Sequence, residues 1–291
     1  MLTPEEWVPT GWRLPPRTDQ CFSSRDRASL DPVARCAVIL GYAAGCFLLE
    51  ASFRWTITSR NKALKALGGV PSSRLTSIAS SIVIGALASI YLVVESTCTS
   101  SGLHPGLSPI LSTLGLDGQR LGQLPELVLL LMLGYILTDT YLDVRNGELD
   151  GKMFLHHAMG IVSDTLALVA YAPPARIAML VHIAELSNPS LHFSKLLMDT
   201  GLNKTFPRLY TLVGASFVLL FFLLRVVSPG FIVASLLTRR TREGFRGEWA
   251  DAHHMTITVI SAVWWLINLV WFRLILRLAA AKPKAAEQKS A

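Results

Sequence analysis

"MFLHHAMGIVSDTLALVAY", residues 153–171, has the length and apolarity of a membrane-spanning helix, yet it opens on two adjacent histidines and carries an aspartate near its middle. A helix crossing a hydrocarbon core of about 30 Å needs about 20 mostly apolar residues. An acid at that depth is costly, so such a residue normally faces a partner or a wet cavity. Reading this stretch as a span decides the fold and asks what His156, His157 and Asp164 meet inside a bilayer.

The rest of the chain agrees with the span. Of 291 residues, 51% are hydrophobic and 16% are charged, and the mean hydropathy is +0.44, too apolar for an ordinary soluble domain. Apolar runs near 34–53, 75–94, 124–142, 155–172, 174–188, 209–227 and 255–277 predict an all-α, polytopic transmembrane bundle of about seven spans. They lack the strict alternation of barrel strands and are too long for them. The fifth run is short, and "PGFIVASLLT" at 229–238 either extends the sixth helix or re-enters the membrane. Residues 1–32, proline-rich and mixed in charge, read as a flexible tail, and 278–291 as a basic disordered one. Glu5 and Glu6 stand where a signal peptide is basic, so no cleaved leader is expected.

Basic residues set the expected orientation. After the first span, the segment 54–74 carries Arg54, Arg60, Lys62, Lys65 and Arg74 with no acid, which predicts a cytosolic loop within a 33–69 unit of span and loop. Arg239, Arg240, Arg242 and Arg246 fall on the opposite side in a seven-span count, which the same rule disfavours. The net charge of +7 follows from this topology signal and attraction to anionic lipid; with no folded basic face outside the bilayer, a nucleic-acid partner is not expected. Cys21, Cys36, Cys46 and Cys98 form no CxxC or zinc spacing. Cys36 and Cys46 read as small packing residues of the first span, and Cys21 and Cys98 share a side on which they could pair.

The polar residues of three consecutive spans have matching depths. His157 and Asp164 are seven apart, hence on one helix face and about 10 Å apart along it, while His156 points about 100° away. The third span ends in Asp139 and Asp143, and the fifth carries His182, Glu185 and Asn188 as an i, i+3, i+6 stripe. In antiparallel neighbours, Asp139, His157 and Glu185 lie near one end, with Asp164 and His182 about two turns deeper. Pro189 cannot donate to the carbonyl of Glu185, which frees that carbonyl and favours a bend. Polar groups at helix ends, such as His156, Asp143 and His192, are cheap to hold, whereas Asp164 and Glu185 in hydrocarbon are not. Arg225 reads as a snorkelling residue at the end of the sixth span, and Trp264, Trp265 and Trp271 as packing and interface anchors.

"FLHH" at 154–157, the acids of the preceding span and "ELSNPSLHFSKLL" at 185–197 together resemble the TLC-domain family, which includes ceramide synthases. The resemblance covers about residues 70–275, inside a membrane domain drawn at 70–277. It implies an endoplasmic-reticulum-type membrane bundle with a role in lipid synthesis, sensing or trafficking. Against the synthase motif, Ser187 and Lys195 match, but Asn188 stands in place of an aspartate and His192 in place of a glutamate. The pattern is closer to that of the non-synthase members.

Two functions follow from these residues. The favoured one is a multi-pass protein that binds or handles a lipid and contributes to lipid homeostasis, its polar groove formed by Asp139, His156, His157, Asp164, His182, Glu185 and Asn188. The alternative is a lipid acyltransferase in which His157 is the general base or acyl acceptor and Asp164 or Glu185 orients it, with an acyl-CoA as donor. Membrane lipids are the expected partners and no cofactor is implied. A metal is not expected either: iron hydroxylases and desaturases use repeated histidine boxes, and the chain has 7 histidines and no HxxHH.

Overall fold

A computed structural model describes residues 30–60, 70–96, 118–170, 173–237 and 250–280. All regular structure among them is helical, in chain order α1 (Pro32–Arg60), α2 (Val70–Ser96), α3 (Gly118–Asn146), α4 (Gly151–Ala170) and α5 (Pro173–His182). A 3-10 turn (Ile183–Ser187) leads into α6 (Asn188–Asp199) and the short α7 (Leu202–Thr205). Then come α8 (Pro207–Phe221), a π-helical turn (Phe222–Val227), α9 (Ser228–Leu236) and α10 (Ala250–Ala280). Residues 1–29 and 281–291 of the tails, the arginines at 239–246, Cys21 and Cys98 lie outside the described residues, as do Lys62 and Lys65 of the basic loop; Pro32 opens α1 and residues 278–280 end α10, so helix reaches into both segments expected to be tails.

Among the described residues, five helices are long and apolar enough to cross a membrane: Pro32–Thr56, Val70–Val94, Gln123–Asn146, Pro207–Leu236 and His254–Ala279. The fourth and fifth expected spans fall on α4, of 20 residues, and α5, of 10. At about 1.5 Å per residue α5 cannot cross the core alone; it gains length by continuing through the 3-10 turn into α6. The 229–238 stretch extends the sixth helix, because α8, the π turn and α9 form one 30-residue span. The outer faces carry exposed Leu40, Leu48, Leu212, Leu266 and Val270, a surface suited to acyl chains.

Helix ends are set locally. Gly147, at φ 70°, ends α3 in a Schellman motif, with the N–H of Glu148 donating to the Asp143 carbonyl and that of Gly147 to Val144. Three residues on, the Asp150 carboxylate accepts from the N–H groups of Lys152 and Met153 and caps α4. This tight link makes α3 and α4 antiparallel neighbours, which brings Asp139 and His157 to the same level.

The core joins α1, α2, α3 and α5 through Ile84, Val128, Leu130 and Met179. One face of α2 is unusually polar for a membrane core: Ser72, Ser73, Thr76, Ser77, Ser80 and Ser81 are all buried. Small hydroxyl side chains let helices approach and hydrogen-bond across the gap. Cys46 is buried beside the Ser80 hydroxyl, but Cys36 is exposed on the outer face of α1 rather than packed, a correction to the reading of both as core residues.

Gly134 sets the spacing of α3 and α1, since a Cβ there would lie 2.7 Å from the Ile39 carbonyl oxygen. Backbone cannot rotate aside as a side chain can. Gly134→Ala is therefore expected to part the two helices and lower stability by about 1–3 kcal/mol, seen as a reduced unfolding midpoint in detergent. An unchanged midpoint would mean that α1 yields without penalty.

Candidate functional site

A cavity of about 1110 Å³ lies between α3, α4, the α5–α6 rod, α8 and α10. Its wall is polar where α3, α4 and the rod face one another, with Asp139, Asp143, His156, His157, Asp164, His182, Glu185 and Asn188. Opposite, Phe217, Phe221, Trp264, Trp271 and Leu274 form an apolar wall. Every residue expected in the polar groove faces this one space.

Deepest in the polar wall, Nε2 of His182 lies 3.3 Å from Oδ1 of Asp164. Both side chains are buried, and while His182 Nε2 pairs with Oδ1, the second oxygen, Asp164 Oδ2, has no hydrogen-bond partner among the described residues. The same holds for Nδ1 of His156, whose ring packs 5.1 Å from that of Trp271. Buried polar atoms are nearly always satisfied by protein, water or a ligand.

About two turns away, His157 and Asp139 form a second pair, Nε2 to Oδ2 at 3.6 Å. The Thr140 hydroxyl lies 2.7 Å from the Ile136 carbonyl oxygen and 2.8 Å from His157 Nδ1, so it holds the imidazole ring in place from behind. Nε2 is thereby turned toward Asp139. Asp139 is held in turn by the Ser77 hydroxyl, which donates to Oδ1 at 2.7 Å. Asp143, one turn along α3, completes a group whose ligand-type atoms, one each from Asp139, Asp143 and His157, all lie within 4.8 Å of one another. Sequence reading expected no metal because it looked for histidine boxes; this set is drawn from two helices and is invisible as a motif.

Glu185 departs from the expected layering. It meets neither Asp139 nor His157 but a buried cluster centred on Arg225, whose side chain is as buried as its own. Nε of Arg225 donates to the Ser187 hydroxyl at 2.9 Å, and one terminal nitrogen donates to Glu185 Oε1 at 3.3 Å and Asn188 Oδ1 at 2.9 Å. The Asn188 amide donates to Glu185 Oε2 at 2.7 Å, and the Ser81 hydroxyl approaches the same oxygen at 3.4 Å. The snorkelling reading of Arg225 is thereby corrected: residue 225 lies in the middle of the 30-residue span, far from either end. The missed signal was that length. With 229–238 joined to the sixth helix, an arginine in mid-span demands an acid.

Two irregular turns build this cluster. Pro229 has no N–H for the Arg225 carbonyl, and the chain answers with a π turn in which the Ser228 N–H donates to Leu223. The indole of Trp265 donates to the adjacent Val226 carbonyl at 2.9 Å, entering over Gly230, where a Cβ would come within 3.3 Å of the ring. On the facing rod, Pro189 leaves the Glu185 carbonyl to the Asn188 N–H. That carbonyl is therefore not free, as the sequence suggested, but taken up by a tightened 3-10 turn. With three residues per turn, His182, Glu185 and Asn188 line up on one edge.

Fold and site together define a polytopic helical membrane protein with a partly polar cavity inside its bundle. The family model described as the TLC domain matches residues 72–277. The chain belongs to the TLC-domain family, and is thus a multi-pass membrane protein linked to lipid metabolism or handling. No curated protein and no solved structure gives a significant match.

Proposed function

We propose that the protein takes a membrane lipid into this cavity and thereby contributes to membrane lipid homeostasis. The headgroup sits among Asp139, His156, His157, Asp164, His182, Glu185 and Asn188, and the acyl portion lies along the aromatic wall. The observation that carries this reading is the cavity itself, whose wall holds the unsatisfied atoms Asp164 Oδ2 and His156 Nδ1. At about 1110 Å³ it exceeds the roughly 300–1,000 Å³ of ordinary small-molecule pockets, and an acceptor such as Asp164 Oδ2 calls for a hydroxyl or ammonium donor on the headgroup. Residence in the endoplasmic reticulum is part of the proposal on family grounds.

A second reading, lipid acyl transfer from an acyl-CoA, is favoured by one observation: His157 lines the cavity with its ring held by Thr140 and its Nε2 turned to Asp139, the placement a base or an acyl acceptor needs.

Lipids retained through purification in mild detergent test the proposal. One headgroup class should be enriched over the bulk membrane, and Asp164→Asn should shift that class while leaving the helical content unchanged. Retained lipid that mirrors the bulk membrane in both proteins would refute it. A bound CoA thioester would favour acyl transfer.

A further inference from the structure

We propose that Asp139, Asp143 and His157 hold a divalent first-row metal ion, with Zn²⁺ the best match to one imidazole and two carboxylates, on the wall of the cavity. Three independent features meet at this point. First, one atom from each side chain lies within 4.8 Å of the others; ligands bound at about 2.0–2.2 Å around one ion are about 3–4 Å apart, so closure asks for a rotamer adjustment, not a backbone shift. Second, His157 is only 6% exposed, and its Nε2 faces a carboxylate oxygen of Asp139 at 3.6 Å, too long for a hydrogen bond. With the Asp143 carboxylate beside them, two acids meet an imidazole in a place where a shared cation would join all three. Third, His157 and Asp139 are already aimed from behind. Nδ1 of His157 is hydrogen-bonded to Thr140 and Oδ1 of Asp139 to Ser77, the outer-shell arrangement that orients metal ligands.

The rival counter-charges are a proton on the His157–Asp139 pair, the Arg74 guanidinium and the Lys195 ammonium, both of which line the same cavity, and an ammonium brought by a lipid. A metal ion differs from all of these in binding the imidazole and both carboxylates at once, with its remaining positions open to the cavity. There an ester carbonyl or phosphate oxygen of a lipid would complete its shell. With Nε2 on the ion, His157 is not a free base, so the inference weighs against His157-driven acyl transfer. It does not depend on lipid occupancy, because metal content is read whether or not lipid fills the cavity.

The test uses the full chain in detergent, stripped with a chelator, titrated with Zn²⁺ and assayed for metal by mass spectrometry after desalting. The wild type should retain close to one ion per chain. Asp143→Asn and His157→Gln should fall to background, and Thr140→Val and Ser77→Ala should weaken binding by about 10–100-fold. Glu126→Gln, an acid of α3 paired with Arg35 away from this group, should bind as the wild type does. If His157→Gln fails to fold, Thr140→Val decides, since it alters only the hydroxyl that orients the ring. Substoichiometric Zn²⁺ in the wild type, or full occupancy surviving in Asp143→Asn, overturns the proposal. So does a copurified amine lipid that Zn²⁺ cannot displace, which would make ammonium the resident cation.

Discussion

Arg225→Met is expected to destabilise the protein by about 3–5 kcal/mol, the usual penalty for removing one partner of a buried ion pair. The mechanism is specific. Arg225 supplies donors to Glu185, Ser187 and Asn188 at once, and without it the buried Glu185 carboxylate keeps only Asn188 and a long contact to Ser81. The loss is not of attraction alone, because much of it is the charge left behind in a low-dielectric interior. Replacing both partners, as in Arg225→Met with Glu185→Leu, should therefore recover a large part of the stability lost by either single change. Unfolding midpoints in one detergent for the wild type, both single variants and the double variant give the coupling directly. Strict additivity would show that the two side chains are not an energetic unit.

The second expectation separates lipid handling from acyl transfer. If His157 were the base, His157→Ala would lower product formation by about 10²–10⁴-fold and leave bound lipid largely unchanged. The expected result is different: Asp164→Asn, which keeps shape and removes charge, changes which headgroup is retained, and His157→Ala has an effect of similar size. Asp164 lines the cavity with one carboxylate oxygen left without a hydrogen-bond partner among the described residues, where a headgroup would feel its charge. Whole-cell lipid composition and bound lipid, compared at matched expression, decide it. A lipid product that vanishes only in His157→Ala would establish acyl transfer.

The residues of the polar wall were legible because burial in an apolar run makes any polar side chain conspicuous. His157 and Asp164 stand seven apart on one helix, and Asp139 faces the same groove across a link that Gly147 and Asp150 keep short, so their common orientation follows from helical period and chain order. The sixth span was only half legible, because the run at 229–238 could either extend that helix or re-enter the membrane. A π turn before Pro229 lets the helix continue, and with it the meaning of Arg225 changed from an interfacial residue to a buried counter-ion.

What the sequence determined by itself is the all-helical membrane bundle, because length and apolarity of a run are properties of the run alone. It also determined which spans carry polar groups. Only the tertiary structure decided their partners: Thr140 behind His157, Ser77 behind Asp139, and Arg225 rather than Asp139 beside Glu185. Small hydroxyl residues in a span look like ordinary spacing residues until another helix is placed against them. A pairing between helices depends on their rotation and relative height, which irregular turns at Pro189 and Pro229 set by fractions of a turn, and no periodicity within a single segment encodes that.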